Sequence, residues 1–578
     1  MTVEQELTRR VLAALLREDV LGLRTRSTPE HRADGRWLQL DFDGVTVGLP
    51  ITRDGFQCED TARLPLLQVA GAELTSPAAI VDALGELADP RDRDGYHAFA
   101  DECRQTLATM ALHAAARPTV HADLAARYGA SPAGWTGLGA ALAQDTLAAH
   151  LDHPVYPTAR GRSGLGEREL MRYAPEFHPS FLLRWLALPA AAAHLHAFAP
   201  LPAWWPTAAS LGLPPSTEPE VIIPVHPLTA DGPLDQALRA AGLDGRARLA
   251  ARPYLEVRPT LSMRTVAVVR DPAHHLKLPL PTATLGLRNR RTIKPGVLPD
   301  GAAAQRLLES VLARTPRFAD TVLHADEQSY AEGGHELLAV LLRRYPAGLQ
   351  DALTVPLAAL LADAPGGRLV VDHVADRYYD GDPLALYDAL LTALFDLHTT
   401  LFAHGIALES HQQNTSLVLD RPDGRTRLRL LLKDNDGLRV NGPRMAAALG
   451  EPAPKPEEFD DRRIFGDTDR PLTDLFTTIT GHLCSGALAF GLAAHGRVPR
   501  ATALGLLRRR LESAVNRLGP AGEPLRAALL DAERLPVKAM VTAGTLLSKE
   551  RSGAADINKH YTSGPNYLLP DRPDRRRP

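Results

Sequence analysis

Apolar and polar positions near the start of the chain first follow a helical period and then the period of a strand. The opening residues, MTVEQELTRRVLAALLRED, predict an amphipathic helix. The segment WLQLDFDGVTVGLPI alternates as a strand does and carries Asp43-Gly44 as a turn signal. SPAAIVDALGEL and residues 96–116 predict two further helices. The first part of the chain is therefore expected to be a helical unit that carries a small hairpin.

Prolines dominate the next part of the chain, from His153 to Pro227. Because proline interrupts regular structure, this stretch predicts rigid loops that hold side chains in place. Strands are predicted at VIIPV and at MRTVAVV, and basic residues then concentrate between Lys277 and Lys294.

The last third, from about residue 340, predicts a mixture of strands and helices. LVVDHV is interpreted as a strand, residues 384–402 as a long helix, and the apolar runs before and after residue 425 as two paired strands. Several helices follow. The basic, proline-rich end, PDRPDRRRP, predicts disorder. No internal repeat is apparent.

Composition narrows the class of protein. The chain has 578 residues, 45% hydrophobic and 23% charged, with a net charge of -3, so neither nucleic acid nor an anionic membrane is indicated as a partner. Three cysteines without CxxC spacing argue against a disulfide framework or a structural zinc cluster. The N-terminus lacks the order of a signal peptide, and no uninterrupted apolar run approaches a membrane span. We therefore expect a cytoplasmic protein.

Two polar clusters carry the strongest chemical signal. Within HGIALESHQQNTSLVLD, four side chains that bind metal, phosphate or acid fall in six residues: Glu409, His411, Gln413 and Asn414. About twenty residues later, Asp434 and Asp436 end another apolar run. A hairpin would bring both clusters to one end of a sheet, where oxygen ligands suit a Mg2+–polyphosphate site. The alternative is a polar loop that only caps a strand.

Basic clusters complement these acids. They comprise His153, Arg160, Arg162, Ser163 and Gly164; Ser262 and Arg264; Lys277, Thr282, Thr284, Arg288, Arg290 and Arg291; and Lys538. Arginine binds phosphate and carboxylate through two parallel hydrogen bonds, and lysine acts as a mobile point charge. The alternative for each is a solvated surface charge. Glu176 and His178 could reach a site or pack a loop, and His274–His275 lacks a third metal ligand at matching spacing. No Walker A, GxGxxG or GxSxG motif is present.

The order of these motifs resembles a known family. HPxxPxxRxRxG, PVHP, SxRT, a Lys–Thr–Arg segment ending in RTI, ExHxQN and an acidic doublet follow one another as in NRPS-independent siderophore synthetases, the aerobactin-synthetase-like family. The resemblance runs from about residue 150 to the C-terminus. It implies an ATP- and Mg2+-dependent enzyme that adenylates a carboxylate of citrate or a related acid and condenses it with an amine or alcohol.

The resemblance also implies a fold. We expect an α+β, open-hand architecture with a helical thumb-like subdomain (residues 1–145), a fingers-like subdomain with the ATP motifs (146–340) and a palm-like subdomain (341–578). The palm would be a mixed or antiparallel sheet with helices. The family also allows a homodimer.

The site residues implied by the resemblance fall into four groups. His411, Arg291, Lys277 and Arg264 would be catalytic. His153, Arg160, Arg162, Ser163, Ser262, Arg264, Lys277, Thr284 and Gln413 would bind ATP. Thr284, Arg288, Arg291, His411, Gln413 and Lys538 would bind the other substrates. Glu409, Asn414, Asp434 and Asp436 would hold Mg2+.

Two departures from the family pattern matter. The usual second histidine of the HP-rich motif is Tyr156, and the usual lysine is Arg160. The Lys–Thr–Arg segment is looser than usual, so Arg288 or Arg290 could bind the acid in place of Arg291. Two other functions stay open: a small-molecule phosphotransferase, and a non-catalytic binder of iron–siderophore complexes. The sequence does not identify the acid, the nucleophile or the base of the second step.

Overall fold

The structure is a computed structural model that describes residues 1–450, 454–553 and 560–570. Helices and strands are mixed along the whole described chain, as the α+β expectation requires. Most of the tail interpreted as disordered, residues 571–578, lies outside the described residues.

The N-terminal helix spans Val3–Arg17 and is amphipathic as predicted. Thr2 caps it by accepting a hydrogen bond from the backbone N–H of Gln5, whose side chain accepts one from the Thr2 N–H in return. Its apolar face, including Leu7 and Val11, is fully buried. Two further helices, Pro77–Leu87 and Arg93–Tyr128, confirm the predicted ones, the second extending over 36 residues.

The predicted hairpin is correct but is part of a larger sheet. Gly35–Phe42 pairs antiparallel with Val45–Arg53 around the Asp43-Gly44 turn. Within the described residues this sheet has six strands, the others being Thr28–Arg32, Asp60–Ala62, Leu67–Val69 and Ala72–Leu74. The added strands have three to five residues, too short for the alternation of apolar and polar positions to mark them.

The largest sheet in the described part of the chain has nine antiparallel strands. Both strands predicted from sequence, within Glu220–Val225 and Thr265–Val268, belong to it. From one edge its order is Arg248–Leu249, Phe181–Pro189, Tyr254–Pro259, Thr265–Val268, Asp271–Lys277, Ala339–Arg344, Asp326–Glu332 and His194–His196, with Glu220–Val225 also paired to Phe181–Pro189. The helices Leu138–Ala149 and Glu167–Tyr173 precede the first of these strands, and the segments between the strands include the helices Leu234–Ala240 and Val297–Ala313.

A smaller mixed sheet contains the two predicted paired strands. Thr415–Asp420 and Arg427–Leu432 are antiparallel neighbours, flanked by Leu353–Pro356 and, in parallel, by Val322–His324. The predicted long helix is present as Pro383–Ala403. Gly442–Leu449, Arg470–Leu475, Ala487–Ala494 and Arg500–Asn516 supply the C-terminal helices. Chain segments on both sides of residue 340 therefore build this sheet.

The segment LVVDHV was wrongly interpreted as a strand; it begins the helix Val370–Tyr378. The Asp372 carboxylate accepts a hydrogen bond from the Leu369 N–H, which closes the first turn. Val370, Val374 and Tyr378 are buried at helical spacing. A short run of β-branched residues thus adopts the helix because packing outweighs local propensity.

The C-terminal part of the chain returns to the N-terminal helix. Glu18, which follows that helix, accepts hydrogen bonds from the Val541 and Thr542 N–H groups. This holds the turn after the strand Arg534–Lys538, which pairs with Tyr561–Pro565. One helical stretch among the described residues, Arg470–Ala494, is long and apolar enough to cross a membrane, and 83% of its apolar window is buried in the fold.

A buried ion pair within the nine-stranded sheet also contacts the end of the smaller sheet. The Arg343 guanidinium, on the nine-stranded sheet, contacts the carboxylate of Glu327, and both side chains are less than 5% exposed. The same carboxylate accepts a 2.8 Å hydrogen bond from the Asp434 N–H, at the end of the smaller sheet. Glu327 therefore fixes the start of the acidic loop.

We expect Arg343→Met to destabilise the fold by about 3–5 kcal/mol, because it leaves the Glu327 carboxylate buried without its partner. The free energy of urea-induced unfolding measures the effect. The neighbouring Arg344→Met is the matched control: Arg344 and Asp326 form an exposed pair at 2.8 Å, whose loss should cost less than about 1 kcal/mol. Equal losses in the two variants would contradict this assignment.

Candidate active site

The hairpin register brings the two polar clusters together, as predicted. Thr415 pairs with Leu432, so Asn414 and Lys433 lie side by side at one end of the strands, and the Lys433 N–H donates to the Asn414 carbonyl at 3.1 Å. Within the first cluster, the His411 carbonyl accepts from the Asn414 N–H at 2.9 Å. The ExHxQN loop is therefore a compact turn at the end of the hairpin away from its connecting turn.

The acidic doublet is held by one lysine. Lys277, at the end of the strand Asp271–Lys277 and 2% exposed, donates to Asp434 Oδ1 at 2.9 Å and to Asp436 Oδ2 at 2.8 Å. Asp434 has a left-handed backbone, with φ of 66°, which is uncommon outside glycine. Its N–H bond to Glu327 and its pairing with Lys277 hold that conformation.

The two aspartates have opposite pKa shifts. Burial raises the pKa of Asp434, but the Lys277 ammonium and then Arg343 outweigh it, so its net shift is downward. Burial also raises the pKa of Asp436; Lys277 opposes the rise and the Asp434 charge adds to it, leaving a net upward shift. A single lysine thus stabilises one ionised aspartate better than it stabilises two ionised aspartates.

Glu409 forms the second acid–lysine pair. Its Oε1 accepts from the Lys538 ammonium at 3.2 Å. Gly437, with φ of +80°, lies directly against it: a Cβ at this position would come within 2.2 Å of the Glu409 carboxylate. The glycine after the acidic doublet is therefore required for the close approach of the two acidic segments.

The opposite wall is basic and incompletely paired. Arg264 donates to the Thr292 carbonyl at 2.9 Å. The Arg291 guanidinium has no carboxylate partner among the described residues. Burial lowers the pKa of Arg291 to about 9, and the neighbouring Arg264 adds to the shift. Two close cations in a part-buried wall create a position that an anion would stabilise.

The proline-rich loop supplies the third wall. His153 accepts from the Val155 and Tyr156 N–H groups through Nδ1, and burial, with His411 nearby, lowers its pKa to about 3. Its imidazole is therefore neutral. Arg160 forms a two-point contact with Asp152, and Arg162 contacts Glu176 at 2.6 Å.

These walls enclose one cavity of about 400 Å³. Most of the predicted site residues line it, namely His153, Arg160, Arg162, Ser262, Arg264, Thr284, Arg291, Glu409, His411, Gln413, Asn414, Asp434, Asp436 and Lys538. Burial lowers the pKa of His411, with Glu409 opposing the shift. Lys277 does not line the cavity itself but contacts both aspartates that do.

The structure does not bring Arg288 or Ser163 to this cavity. The Arg288 guanidinium turns away and donates to the carbonyls of Ala543 and Leu547. Ser163 lies behind the loop and lines a neighbouring cavity. Arg290, the third competitor for the acid, pairs with Glu336 at 3.0 Å and is largely exposed. Of the three arginines, Arg291 alone faces the predicted site.

Some residues of the site could not be predicted, because no sequence pattern marks them. Asn289 and Met540 line the cavity, and Glu327 supports it from 107 residues before Asp434. Glu176, which could have been only loop packing, lines the cavity, whereas His178 hydrogen-bonds Thr146. Tyr156, at the family's histidine position, is buried and donates to Glu102.

The donor set fits Mg2+. Glu409, Asn414, Asp434 and Asp436 offer oxygen ligands to a single cavity, and a lysine ammonium already bridges the aspartates. Among the described residues no three or more His, Cys, Asp or Glu side chains form a group that could hold a metal. That is consistent with an ion that takes much of its shell from phosphate and water.

Comparison with known proteins shows which proteins this chain resembles. Residues 143–362 match the IucA / IucC family model. Residues 379–552 match a second model, described as a ferric iron reductase FhuF-like transporter. The described fold resembles that of solved structures at low sequence identity. It superposes with a TM-score of 0.74 on petrobactin biosynthesis protein AsbB from Bacillus anthracis, at 20% identity over 97% of this chain and 95% of that one.

Three further proteins are similar to this chain in fold or in sequence. ATP-bound aerobactin synthetase IucA from Klebsiella pneumoniae superposes with a TM-score of 0.70, at 17% identity over 98% and 99% of the two chains. Staphyloferrin B synthase of Staphylococcus aureus is 24% identical over 321 residues, covering 51% of this chain and 53% of that protein. Rhizobactin siderophore biosynthesis protein RhbC of Rhizobium meliloti is 26% identical over 380 residues, covering 54% and 58%.

The match with these two curated relatives therefore spans about half of their length. With the family match over residues 143–362 and the shared fold, it confirms the resemblance drawn from the motifs. The segment matching the second model contains one cysteine, Cys484, which is buried and donates to the Ser410 carbonyl.

We expect Arg291→Ala to lower pyrophosphate release from ATP and a polycarboxylic acid by about 10²-fold, because it removes the unpaired cation from the cavity. Initial rates measured across acid concentration check this. Arg288→Ala and Arg290→Ala are matched controls and should stay within about threefold of the wild type, since neither side chain reaches the cavity. A larger loss in either control than in Arg291→Ala would reverse the assignment.

Proposed function

We propose that the protein is an ATP-dependent, AMP-forming ligase. It adenylates a carboxylate of citrate or a related di- or tricarboxylic acid and condenses it with an amine or alcohol in siderophore biosynthesis. The observation that supports this proposal is that arginines and acidic residues line the same cavity. Arg264 and Arg291, the second without a carboxylate partner in the described chain, face Glu409, Asp434 and Asp436.

The charges suit the first step. A carboxylate must approach the α-phosphorus of ATP although both are anionic, so cations on one wall must neutralise and align them. A carboxylate oxygen then bonds to the α-phosphorus as the bond to pyrophosphate breaks. Arg291 suits the acid, because its guanidinium is free to form two parallel hydrogen bonds. Lys277, Arg264 and Ser262 suit the phosphates.

The second step uses the same cavity. The nucleophile forms a bond to the acyl carbon, and AMP leaves with the electron pair of the C–O bond. His411 is kept neutral by burial, so its imidazole can exchange a proton near Gln413 and the acyl group. His153 has a pKa of about 3 and is already neutral; it serves by holding the loop.

Glu409, Asn414, Asp434 and Asp436 would hold Mg2+. A bound Mg2+ polarises phosphoryl oxygens and stabilises the departing pyrophosphate. The protein's own part is to keep these oxygen donors on the side of the cavity opposite Arg291, with Lys277 and Lys538 balancing their charge.

The relatives support this proposal. Their names include an ATP-bound aerobactin synthetase, a staphyloferrin B synthase and proteins of petrobactin and rhizobactin biosynthesis. We also propose, as the motif resemblance implies, thumb-, fingers- and palm-like subdomains at about 1–145, 146–340 and 341–578, a cytoplasmic location and a homodimer. The nine-stranded sheet would supply the fingers and the four-stranded sheet the palm, with Val322–His324 and Ala339–Arg344 crossing the boundary near residue 340.

The decisive assay is pyrophosphate release across citrate, succinate and 2-oxoglutarate, each combined with diamines, hydroxamate-bearing amines and amino acids. We expect pyrophosphate and AMP in equal amounts with at least one tricarboxylic or dicarboxylic acid. Formation of ADP instead would identify a phosphotransferase. Binding of iron–siderophore complexes without Mg2+-dependent ATP binding would identify a non-catalytic binder, and both results would contradict the proposal.

We further expect Asn414→Ala and Asp436→Ala each to abolish pyrophosphate release while the protein stays folded, because both remove an oxygen donor from the cavity and neither side chain belongs to the hydrophobic core. Circular dichroism melting curves check folding. Asp351→Ala, at an exposed aspartate outside the cavity, is the control and should keep full activity. Unchanged pyrophosphate release by both cavity variants would contradict the proposed metal site.

A further inference from the structure

A second cavity of about 430 Å³ adjoins the first. We call it the annex. Three segments line it: one face of the helix Arg93–Tyr128, the end of the proline-rich loop and the loop that carries Thr284. Its lining residues are Ala98, Asp101, Glu102, Gln105, Gly161, Ser163, Gly164, Ala283, Thr284, Gly286 and Leu287.

A thin partition separates the two cavities. The Ser163 N–H donates to the Ala283 carbonyl at 3.0 Å, and the Thr282 hydroxyl donates to the Ser163 carbonyl at 2.8 Å, so the two loops lie side by side. Neighbouring residues face opposite sides: Arg162 and Leu285 line the first cavity, Ser163 and Gly286 the annex. Thr284 lines both, so its side chain lies at the boundary between the two cavities.

The two cavities differ in charge. Four arginines and a lysine line the first, together with four acids: Arg160, Arg162, Arg264, Arg291 and Lys538, with Glu176, Glu409, Asp434 and Asp436. The annex lining, all of it described, contains no lysine or arginine and two acids, Asp101 and Glu102. The first cavity therefore suits phosphates and carboxylates, and the annex suits a cation.

The annex acids have distinct surroundings. Glu102 is 9% exposed and accepts hydrogen bonds from the hydroxyls of Tyr156, Thr158 and Thr545. Burial raises its pKa, and the bonds from Thr158 and Tyr156 oppose that shift. Asp101 is 75% exposed at the rim and pairs with Arg104, which is itself half exposed. Such a pair is weak enough for another cation to compete with it.

The rim also has an apolar element. Leu287 is 42% exposed, one of the few large hydrophobic side chains so exposed in the described chain, and it lines the annex. An acid pair beside an exposed leucine suits an ammonium group on an alkyl stem, because the stem can cover the leucine while the charge meets the carboxylates.

We propose that the annex binds the second substrate as an alkylammonium ion and delivers it past Thr284 to the activated acyl group. The inference rests on the proposed function and narrows it, selecting an amine over an alcohol. The ammonium loses one proton to become nucleophilic. Its nitrogen then bonds to the acyl carbon while the C–O bond to AMP breaks, AMP leaves with that electron pair, and the nitrogen loses a second proton to give the amide.

Two variants of one rim residue test the proposal. Asp101→Asn removes the rim charge and Asp101→Arg reverses it, at a position exposed enough for both proteins to fold. We expect the KM for the amine to rise about threefold in the first and about tenfold in the second. Asp123→Arg, an exposed aspartate on the same helix that lines neither cavity, is the matched control and should leave that KM unchanged.

Capture by hydroxylamine separates the annex from the adenylating cavity. Hydroxylamine is small and uncharged at neutral pH, so it should trap the activated acid equally in the wild type and in all three variants. An unchanged amine KM in both Asp101 variants would overturn the annex proposal alone. A fall in hydroxylamine capture matching the loss with amine would also overturn it, because the substitution would then act on adenylation. Absence of pyrophosphate release from the wild type with every acid would instead refute the proposed function.

Discussion

The buried contact of Lys277 with Asp434 and Asp436 is the constraint on which the site depends. A lysine that is 2% exposed is costly unless its charge is paired, and two carboxylates side by side repel each other unless a cation lies between them. Each side therefore requires the other. Because the lysine ends a strand of the nine-stranded sheet and the aspartates follow a strand of the four-stranded sheet, their pairing fixes where the two sheets meet.

In the cavity where the two sheets meet, the acidic side chains have basic partners, but one basic side chain has no acidic partner among the described residues. Each acid segment has a lysine, Lys277 for the aspartates and Lys538 for Glu409. On the other wall, burial and the neighbouring Arg264 lower the pKa of Arg291, whose charge meets no carboxylate in the described parts of the chain. The fold thus leaves one cation without a partner inside a part-buried cavity. An anionic substrate would stabilise it, in the same cavity as the oxygen donors that are proposed to hold the metal.

Sequence periodicity predicted the long amphipathic elements and the hairpin that carries the two polar clusters, because both depend on local patterning. Val3–Arg17, Pro383–Ala403 and the strands that bring Asn414 beside Lys433 are examples. It failed for Val370–Tyr378, where β-branched residues pack as a helix, and for the short strands that enlarge the N-terminal hairpin. Motif spacing could not choose among Arg288, Arg290 and Arg291, because neighbours in a loop face different directions. The role of Glu327 could not be predicted from the sequence, since it comes from a contact with a residue more than a hundred positions later.

The most direct test of the account follows the oxygen atoms of the acid. If a carboxylate oxygen attacks the α-phosphorus, citrate labelled with ¹⁸O in its carboxyl groups must pass one ¹⁸O to AMP when the amine captures the acyl group. Mass spectrometry of the AMP formed during condensation measures this transfer. The account predicts one labelled oxygen per AMP. Label in inorganic phosphate with ADP as the other product, or AMP without label, would contradict it.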